Sequence, residues 1–235
     1  MRVLVACEES QEVCKAFRAL GHEAYSCDIQ EPSGGHPEWH ILGDVLTILM
    51  PNFGNWIVFH TLDNAVHGMV GKWDMIIAHP PCTYLSSVGA SRLFDETHHI
   101  KDKEREKNGW RAVKLFNTIL NADCQHICVE NPAPLKYWRL PPYSQIIEPY
   151  MFGHPWKKRT CLWLKGLPEL KATNNVKPEG CWTIMKGGKS CRVKTICEGG
   201  ARNAKERART FPGIARAMAE QWGGDVRGGD TDDQS

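Results

Sequence analysis

The chain has 235 residues, enough for one domain with a substantial core, and its 42% hydrophobic and 24% charged residues are ordinary for a compact enzyme. A formal net charge of +2 permits a nucleic-acid partner without requiring one. Because no signal peptide or transmembrane run is visible, we expect the ten cysteines to be reduced thiols of a cytoplasmic protein and not a secreted disulfide framework.

The first 45 residues predict the cofactor-binding half of an α/β domain. Residues 3–7 form an unbroken apolar run that is typical of a buried parallel strand, and Ser10 is a candidate N-cap for the helix that follows. Residues 24–29 predict a second strand that ends at Asp28, and residues 41–45 place Asp44 at a third strand end. An acid after the second strand suits hydrogen bonding to ribose hydroxyls, although each aspartate taken singly is more readily explained as a turn residue.

Cys82 is the first candidate for chemistry. It follows Pro80 and Pro81 at the end of the apolar run 73–78, and prolines cannot continue a sheet ladder, so the chain must leave the sheet there. A thiol just beyond the carboxyl end of a central strand lies where open α/β sheets build their sites. The alternative is that Cys82 is a small buried hydrophobic residue.

A second short apolar strand begins at Ile127 and ends in an acid and an amide, Glu130 and Asn131, before Pro132. Between it and Cys82 lies one long helical pattern with an apolar stripe on Trp110, Val113, Phe116, Ile119 and Leu120. A strand-helix-strand unit predicts two parallel neighbours, with Cys82 and Glu130 at the same sheet edge. A thiol beside a carboxyl group suits nucleophilic attack assisted by an acid.

The pairs Pro81-Cys82 and Glu130-Asn131 resemble the two catalytic motifs of the DNA cytosine-5 methyltransferases in order and spacing. The chain as a whole resembles a short, phage-type member of that family. The resemblance implies a doubly wound, mostly parallel α/β sheet with helices on both faces, S-adenosylmethionine as the cofactor and DNA as the partner. It also implies that the cytoplasm is that of a bacterial or phage-infected host cell. It also implies that Cys82 adds to carbon 6 of cytosine, that Glu130 stabilises charge at ring nitrogen 3, and that carbon 5 is methylated.

The cofactor motif departs from the family pattern, because residues 6–11 replace the usual aromatic-x-Gly-x-Gly loop. Phage-type members carry a similar Cys-Glu-Glu-Ser turn. By resemblance, the cofactor is held by Cys7, Glu8, Ser10, Asp28, Ile29, Asp44, Val45 and Pro80.

The substrate side is predicted from three segments. Residues 86–91 are small and suit a lid that closes over the substrate. Strands are predicted at 145–151 and 160–164, and the segment between them resembles the family's Gln-x-Arg-x-Arg element, with Arg159 at the first arginine, Cys161 at the second and Lys157 at the glutamine. Arg159 is therefore assigned with the catalytic residues. The predicted substrate contacts are Pro81, Ser86, Asn131, Lys158, Lys189 and Arg192.

Residues 168–200 are polar and basic and stand where the family has a large target-recognition domain, for which they are too few. Their cysteines lack zinc-site spacing, and we predict no metal. Residues 211–215 resemble the closing motif of the family. The predicted organisation is a catalytic domain at 1–167, a basic insertion at 168–200, a returning helix at 201–222 and a disordered tail at 223–235. Two alternatives stay open: the same chemistry on a free cytidine nucleotide, and a non-catalytic nucleic-acid binder.

Overall fold

The computed structural model describes residues 1–179, 181–184, 190–193 and 208–224, and of 181–184 and 190–193 the backbone alone. Outside the described residues lie Lys189, the side chain of Arg192, residues 201–207 of the predicted C-terminal helix and the predicted tail from 225 onward. The domain boundaries given above therefore stay predictions. The predicted helix at 201–222 is wrong in its bounds, because residues 209–211 are not helical, a helix begins at Pro212, and Gly223 still belongs to the π-helical turn that follows it. Across the described ranges, no helix combines the length and the apolar character needed to cross a membrane.

Seven of the strands in the described part of the chain form one central sheet. In chain order the strands are β1 (Arg2–Ala6), β2 (Glu23–Asp28), β3 (His40–Leu42), β4 (Trp56–His60), β5 (Val66–Val70), β6 (Met75–Ala78), β7 (His126–Pro132), β8 (Gln145–Ile147), β9 (Thr160–Lys165), β10 (Cys181–Ile184) and β11 (Ser190–Val193). The sheet order is β3-β2-β1-β6-β7-β9-β8, parallel from β3 to β7, with β9 antiparallel to both neighbours. The strand order reverses between β1 and β6, which is where doubly wound sheets bind their ligands.

Helices cover both faces of the sheet. They are α1 (Glu12–Ala19), α2 (Ala90–Leu93), α3 (Lys103–Leu120) and α4 (Pro212–Met218), and a π-helical turn (Ala219–Gly223) continues α4. The side chains of α1 and α4 pack in one hydrophobic cluster, and those of α3 pack in the other. The predicted doubly wound, mostly parallel α/β architecture is confirmed at this level.

The central strands are apolar throughout because both of their faces are covered. On β1, Val3 and Val5 belong to the cluster under α1 and α4, whereas Leu4 and Ala6 belong to the cluster under α3. Successive side chains of a strand point to opposite faces, so a strand between two helical layers needs an unbroken apolar run. The predicted strand-helix-strand unit is also confirmed, since β6 and β7 are parallel neighbours with α3 between them in sequence.

The structure corrects the predicted start of α1. Ser10 is not the N-cap; the residue before the helix is Gln11, in a left-handed conformation with φ of 59° and no side-chain capping bond. The carboxylate of Glu8 accepts the first main-chain donors instead, from Val13 N at 2.7 Å and Cys14 N at 3.2 Å. A carboxylate at this end of the helix also suits the helix dipole.

Two other predicted elements differ. The strand β8 ends at Ile147 and does not reach residue 151, because Pro149 begins a 3-10 turn at Pro149–Met151. Trp110, which was placed on the apolar stripe of α3, is 44% exposed. The antiparallel hairpin of β4 and β5 was not predicted; it pairs apart from the central sheet.

Candidate active site

The motifs that contain Cys82 and Glu130 meet at the carboxyl edge of the central sheet. In the parallel register of β6 and β7, Ala78 lies opposite Val129. The strand β6 ends there, whereas β7 continues through Glu130 and Asn131, which still pair with β9. The main-chain N–H of His79 donates to the carbonyl of Ala6 at 2.9 Å, which extends the pairing of β6 with β1 by one residue. The expected juxtaposition of the two motifs at one edge is confirmed.

The loop that carries Cys82 is fixed by main-chain hydrogen bonds. The carbonyl of Cys82 accepts from Leu85 N at 3.1 Å and from Ser86 N at 3.0 Å, which forms a tight turn after the thiol. The guanidinium of Arg105 on α3 donates to the carbonyl of Thr83 at 2.6 Å. The thiol-bearing residue itself is partly exposed, as a nucleophile must be to reach a substrate.

Glu130 is a largely buried carboxyl group with two side-chain partners. Its Oε2 lies 3.0 Å from Nδ1 of His79 and accepts a hydrogen bond from Oγ1 of Thr210 at 3.5 Å. Burial raises the pKa of Glu130, but the hydrogen bond and charge of His79, together with the charge of Lys158, lower that pKa overall. The side chain is therefore an ionised acceptor when His79 is protonated.

His79 shows the opposite pKa shift. Burial lowers the pKa of the imidazole, but the hydrogen bond to Glu130 and the negative charges of Glu130 and Glu8 raise it above its ordinary value of 6.5 overall. The two side chains are 12% and 11% exposed. When His79 is protonated, the two side chains form an ion pair. The sequence analysis did not select His79, although its place between a strand end and the two prolines was a usable signal.

Basic side chains border the site where β9 begins. Lys158 donates to the carbonyl of Arg209 at 3.2 Å, and its ammonium lies 5.8 Å from the ring centroid of Phe211. Arg159 is exposed beside it, and Lys157 is exposed on the other side. Lys158, and not Arg159, is the cation whose charge lowers the pKa of Glu130. Cys161, at the position of the family's second arginine, is fully buried in β9.

Two acidic side chains, Asp28 and Asp44, border the other half of the same edge, at the end of β2 and just after β3. Burial and the charges of Asp28 and Asp44 raise the pKa of Cys7 to about 12, so Cys7 is a neutral thiol. Cys7 itself has a left-handed backbone, with φ of 57°. Ile29 is 78% exposed beside Asp28. This half of the edge combines carboxylates with an exposed apolar side chain.

The remaining predicted cofactor residues are placed differently. Glu8 and Ser10 are buried. The carboxylate of Glu8 accepts a main-chain hydrogen bond at the start of α1, so its side chain does not face Asp28 and Asp44. Val45 is buried in the hydrophobic core. Pro80 is buried next to the site and Pro81 is exposed.

The predicted lid contains regular structure. Ser86 accepts from the N–H of Val88 through its hydroxyl at 3.3 Å and starts a 3-10 turn at Ser87–Gly89, which runs into α2. The N–H of Ser87 donates to the carbonyl of Ala133 beyond β7 at 3.0 Å, so this segment is joined to the loop that follows Glu130.

No protein-family model matches the chain, and no curated protein matches its sequence. Within the residues whose side chains are described, no group of three or more histidine, cysteine or acidic side chains is placed to hold a metal ion. The seven cysteines with described side chains are in the thiol form.

Proposed function

We propose that this protein transfers a methyl group from S-adenosylmethionine to carbon 5 of cytosine in DNA. The observation that carries the proposal is the joining of the two motifs: Asn131, directly after Glu130, donates from Nδ2 to the carbonyl of Pro80 at 2.8 Å, two residues before Cys82. A nucleophile and an acid that act on one pyrimidine ring must keep a fixed separation, and this bond supports such a separation.

The roles of Cys82 and Glu130 follow from the chemistry of the base. Carbon 5 of cytosine is a poor nucleophile in an aromatic ring. Addition of the Cys82 thiolate at carbon 6 makes carbon 5 enamine-like, and a proton delivered by Glu130 to ring nitrogen 3 neutralises the charge that the addition creates. The partly exposed thiol and the carboxyl group beside the same loop support this division of roles.

The distribution of charge supports a cationic cofactor and an anionic substrate. When bound, S-adenosylmethionine supplies the methyl group on a positively charged sulfur. Asp28 and Asp44 suit that charge and the adenosine hydroxyl and amino groups, and exposed Ile29 suits an apolar ring face. Lys157 and Arg159, exposed at the other half of the edge, suit the phosphates of DNA. In a duplex the target base would have to be flipped out of the stack.

A cysteine hydrolase is the main competing use of a cysteine, a histidine and an acid in one site. In such enzymes a ring nitrogen of the histidine takes the proton of the thiol. Here Nδ1 of His79 is engaged by Glu130, and Nε2 is buried without a hydrogen-bond partner among the described residues. This geometry favours the methyltransferase assignment.

The proposal is tested by labelled methyl transfer from S-adenosylmethionine to duplex DNA, single-stranded DNA, RNA and deoxycytidine monophosphate in parallel. A 5-fluorocytosine substrate should then trap Cys82 covalently, because fluorine cannot leave as a proton does after methylation. Trapping by the fluorinated oligonucleotide, located at Cys82 by peptide mass, supports the proposal. Trapping by the mononucleotide alone would assign the same chemistry to a free nucleotide, and no transfer to any substrate would refute it.

A further inference from the structure

The proton balance of the site depends on four groups that face His79 from different parts of the fold. Glu130 on β7 binds Nδ1, and the buried carboxylate of Glu8 beyond β1 acts on the imidazole through its charge. Lys158 opposes protonation of the imidazole by its positive charge. Thr210 approaches the same oxygen of Glu130 that His79 binds. Burial raises the pKa of Glu8 as well, so the two carboxyl groups around His79 favour keeping a proton in this cluster, against the one cation.

The geometry fixes where that proton lies. Nε2 of His79 is buried and has no hydrogen-bond partner in the described part of the chain, whereas Nδ1 is 3.0 Å from Oε2 of Glu130. A charged imidazole has a proton on each nitrogen and donates most strongly from the nitrogen that has an acceptor, which here is Nδ1. Oε2 of Glu130 also accepts a hydrogen bond from Oγ1 of Thr210 at 3.5 Å.

We propose that His79 is a positioning residue that holds the proton which Glu130 presents to ring nitrogen 3 of the target base. This inference rests on the proposed function and deepens it. A carboxyl group held ionised by a neighbouring cation is a poor acid by itself, and the shared proton removes that difficulty. His79 does not touch the base; it acts through Glu130.

The addition step then balances without any further reagent. A bond forms between Sγ of the Cys82 thiolate and carbon 6, and the electrons of the ring double bond move to nitrogen 3. Before the addition the pair is an imidazolium and a carboxylate, with one proton to give. That proton passes from Nδ1 of His79 to the carboxyl group of Glu130 and from this carboxyl group to nitrogen 3, so His79 ends as a neutral imidazole and Glu130 ends as a carboxylate. When the thiolate leaves carbon 6, the proton returns to the pair.

The addition step can be measured without the cofactor. While Cys82 is bonded to carbon 6, carbon 5 takes up a proton from water, and a tritium label at carbon 5 is lost to water when the ring is restored. Tritium release from a [5-³H]cytosine oligonucleotide therefore counts additions alone. Wild-type release should decline on the alkaline side as the pair loses its proton, at a pH above the ordinary imidazole value of 6.5.

His79→Asn is the informative variant, because asparagine can keep a hydrogen bond to Glu130 but cannot pass a proton to it. We expect tritium release at neutral pH to fall by about tenfold or more, with KM for the oligonucleotide within about threefold of wild type. The alkaline decline should move to lower pH by about one unit or more, because Glu130 must then hold its own proton. His126→Asn, at the opposite end of β7 with Nδ1 3.2 Å from the carbonyl of Asp74, is the matched control and should leave release and its pH profile unchanged.

Nitrogen NMR of the wild-type protein tests the pair independently of activity and of whether the variant folds. His79 should carry its proton on Nδ1 and titrate above 6.5, and Glu130→Gln should lower that value. A wild-type His79 that titrates at or below 6.5, or an unchanged alkaline decline in His79→Asn, would overturn the inference while leaving the proposed function intact. Absence of both tritium release and covalent trapping in the wild type would refute the proposed function, and this inference with it.

Discussion

Asn131 donates a hydrogen bond from its side-chain amide to the main-chain carbonyl of Pro80, with 2.8 Å between Nδ2 and the oxygen. Asn131 is 1% exposed, so the bond lies in a region that water does not reach. This bond connects the end of β7 to the segment that follows β6. An amide is required there because its NH₂ group donates, whereas an aspartate in the same place would face the carbonyl with a second acceptor.

Replacing Asn131 by alanine should destabilise the protein. The buried carbonyl of Pro80 would lose its donor, and an unsatisfied buried polar group costs about 1–3 kcal/mol. The free energy of unfolding in urea would measure the loss. Asn121→Ala is the matched control, because that side chain makes a 2.8 Å bond to the carbonyl of Asn117 at an exposed site. Equal losses in the two variants would show that the buried bond has no special role.

Cys82→Ser should abolish methyl transfer and leave the affinity for S-adenosylmethionine nearly unchanged, because the thiol acts on the base and not on the cofactor. Radiolabelled transfer and calorimetry measure the two quantities. Cys124→Ser, in the loop before the amino end of β7, is the control and should keep transfer within about threefold of wild type. Transfer at the wild-type rate by Cys82→Ser would remove the nucleophile assignment.

The strands and the meeting of the two motifs were predictable because they depend on local patterns. Apolar runs that end in proline or in an acid define β6 and β7, and a helix between two such runs makes them parallel neighbours. The partners of Glu130 were not predictable in this way. His79 is 51 residues before it and Thr210 is 80 residues after it, so each contact depends on register and on the path of the returning chain.

The start of α1 shows a second limit of prediction from the sequence. The sequence offers Glu8, Ser10 and Gln11 within four positions, and each is able to cap a helix or leave it uncapped. The left-handed backbone at Gln11 decides the outcome, because it turns the chain so that the carboxylate of Glu8 reaches Val13 N. A choice among neighbouring polar side chains is settled by backbone geometry that the residue types alone do not specify.

Asp28→Ala should weaken binding of S-adenosylmethionine by about 1.5–3 kcal/mol, the scale of a hydrogen bond to a charged group. Calorimetry with the wild type and the variant measures the difference. Asp123→Ala removes an equal charge at an exposed pair with Lys72 and should leave the affinity unchanged. If Asp28→Ala binds as tightly as Asp123→Ala, Asp28 is a turn residue and the cofactor lies elsewhere.

The ion pair of His79 and Glu130 should stabilise the fold most between pH 4.5 and 6.5. The pKa of His79 is raised from 6.5 on folding, so its contribution is fully present below 6.5 and is lost as the pH rises through the raised value. The pKa of Glu130 is lowered from 4.5, so its contribution is present above 4.5 and is lost as the pH falls through the lowered value.

The measurement is the difference in unfolding free energy between the wild type and Glu130→Gln across this pH range. We expect the difference to reach about 1–3 kcal/mol inside the window and to decline on both sides of it. Glu38→Gln is the matched control, because Glu38 binds His36 at the same 3.0 Å distance on the surface. Its difference should stay below about 0.5 kcal/mol. A flat difference for Glu130→Gln would show that the pair is not ionised.

Binding to DNA should weaken steeply with salt if Lys157 and Arg159 contact phosphates. Each phosphate that the protein neutralises contributes a slope of about −0.9 in log affinity against log salt on a duplex, and about −0.7 on a single strand. Lys157→Gln combined with Arg159→Gln should therefore flatten the slope by about one to two units. Lys158 is left in place because it is held by the carbonyl of Arg209. Fluorescence anisotropy over a series of salt concentrations gives the slope.

A second double variant separates contact from net charge. Lys72→Gln combined with Lys114→Gln removes the same two charges from exposed positions away from the carboxyl edge of the sheet, at the amino side of β6 and on the outer face of α3. Long-range attraction would lower the affinity of both double variants alike, whereas release of counterions by contact changes the slope only where the phosphates lie. Equal slopes in the two double variants would place the DNA elsewhere on the protein.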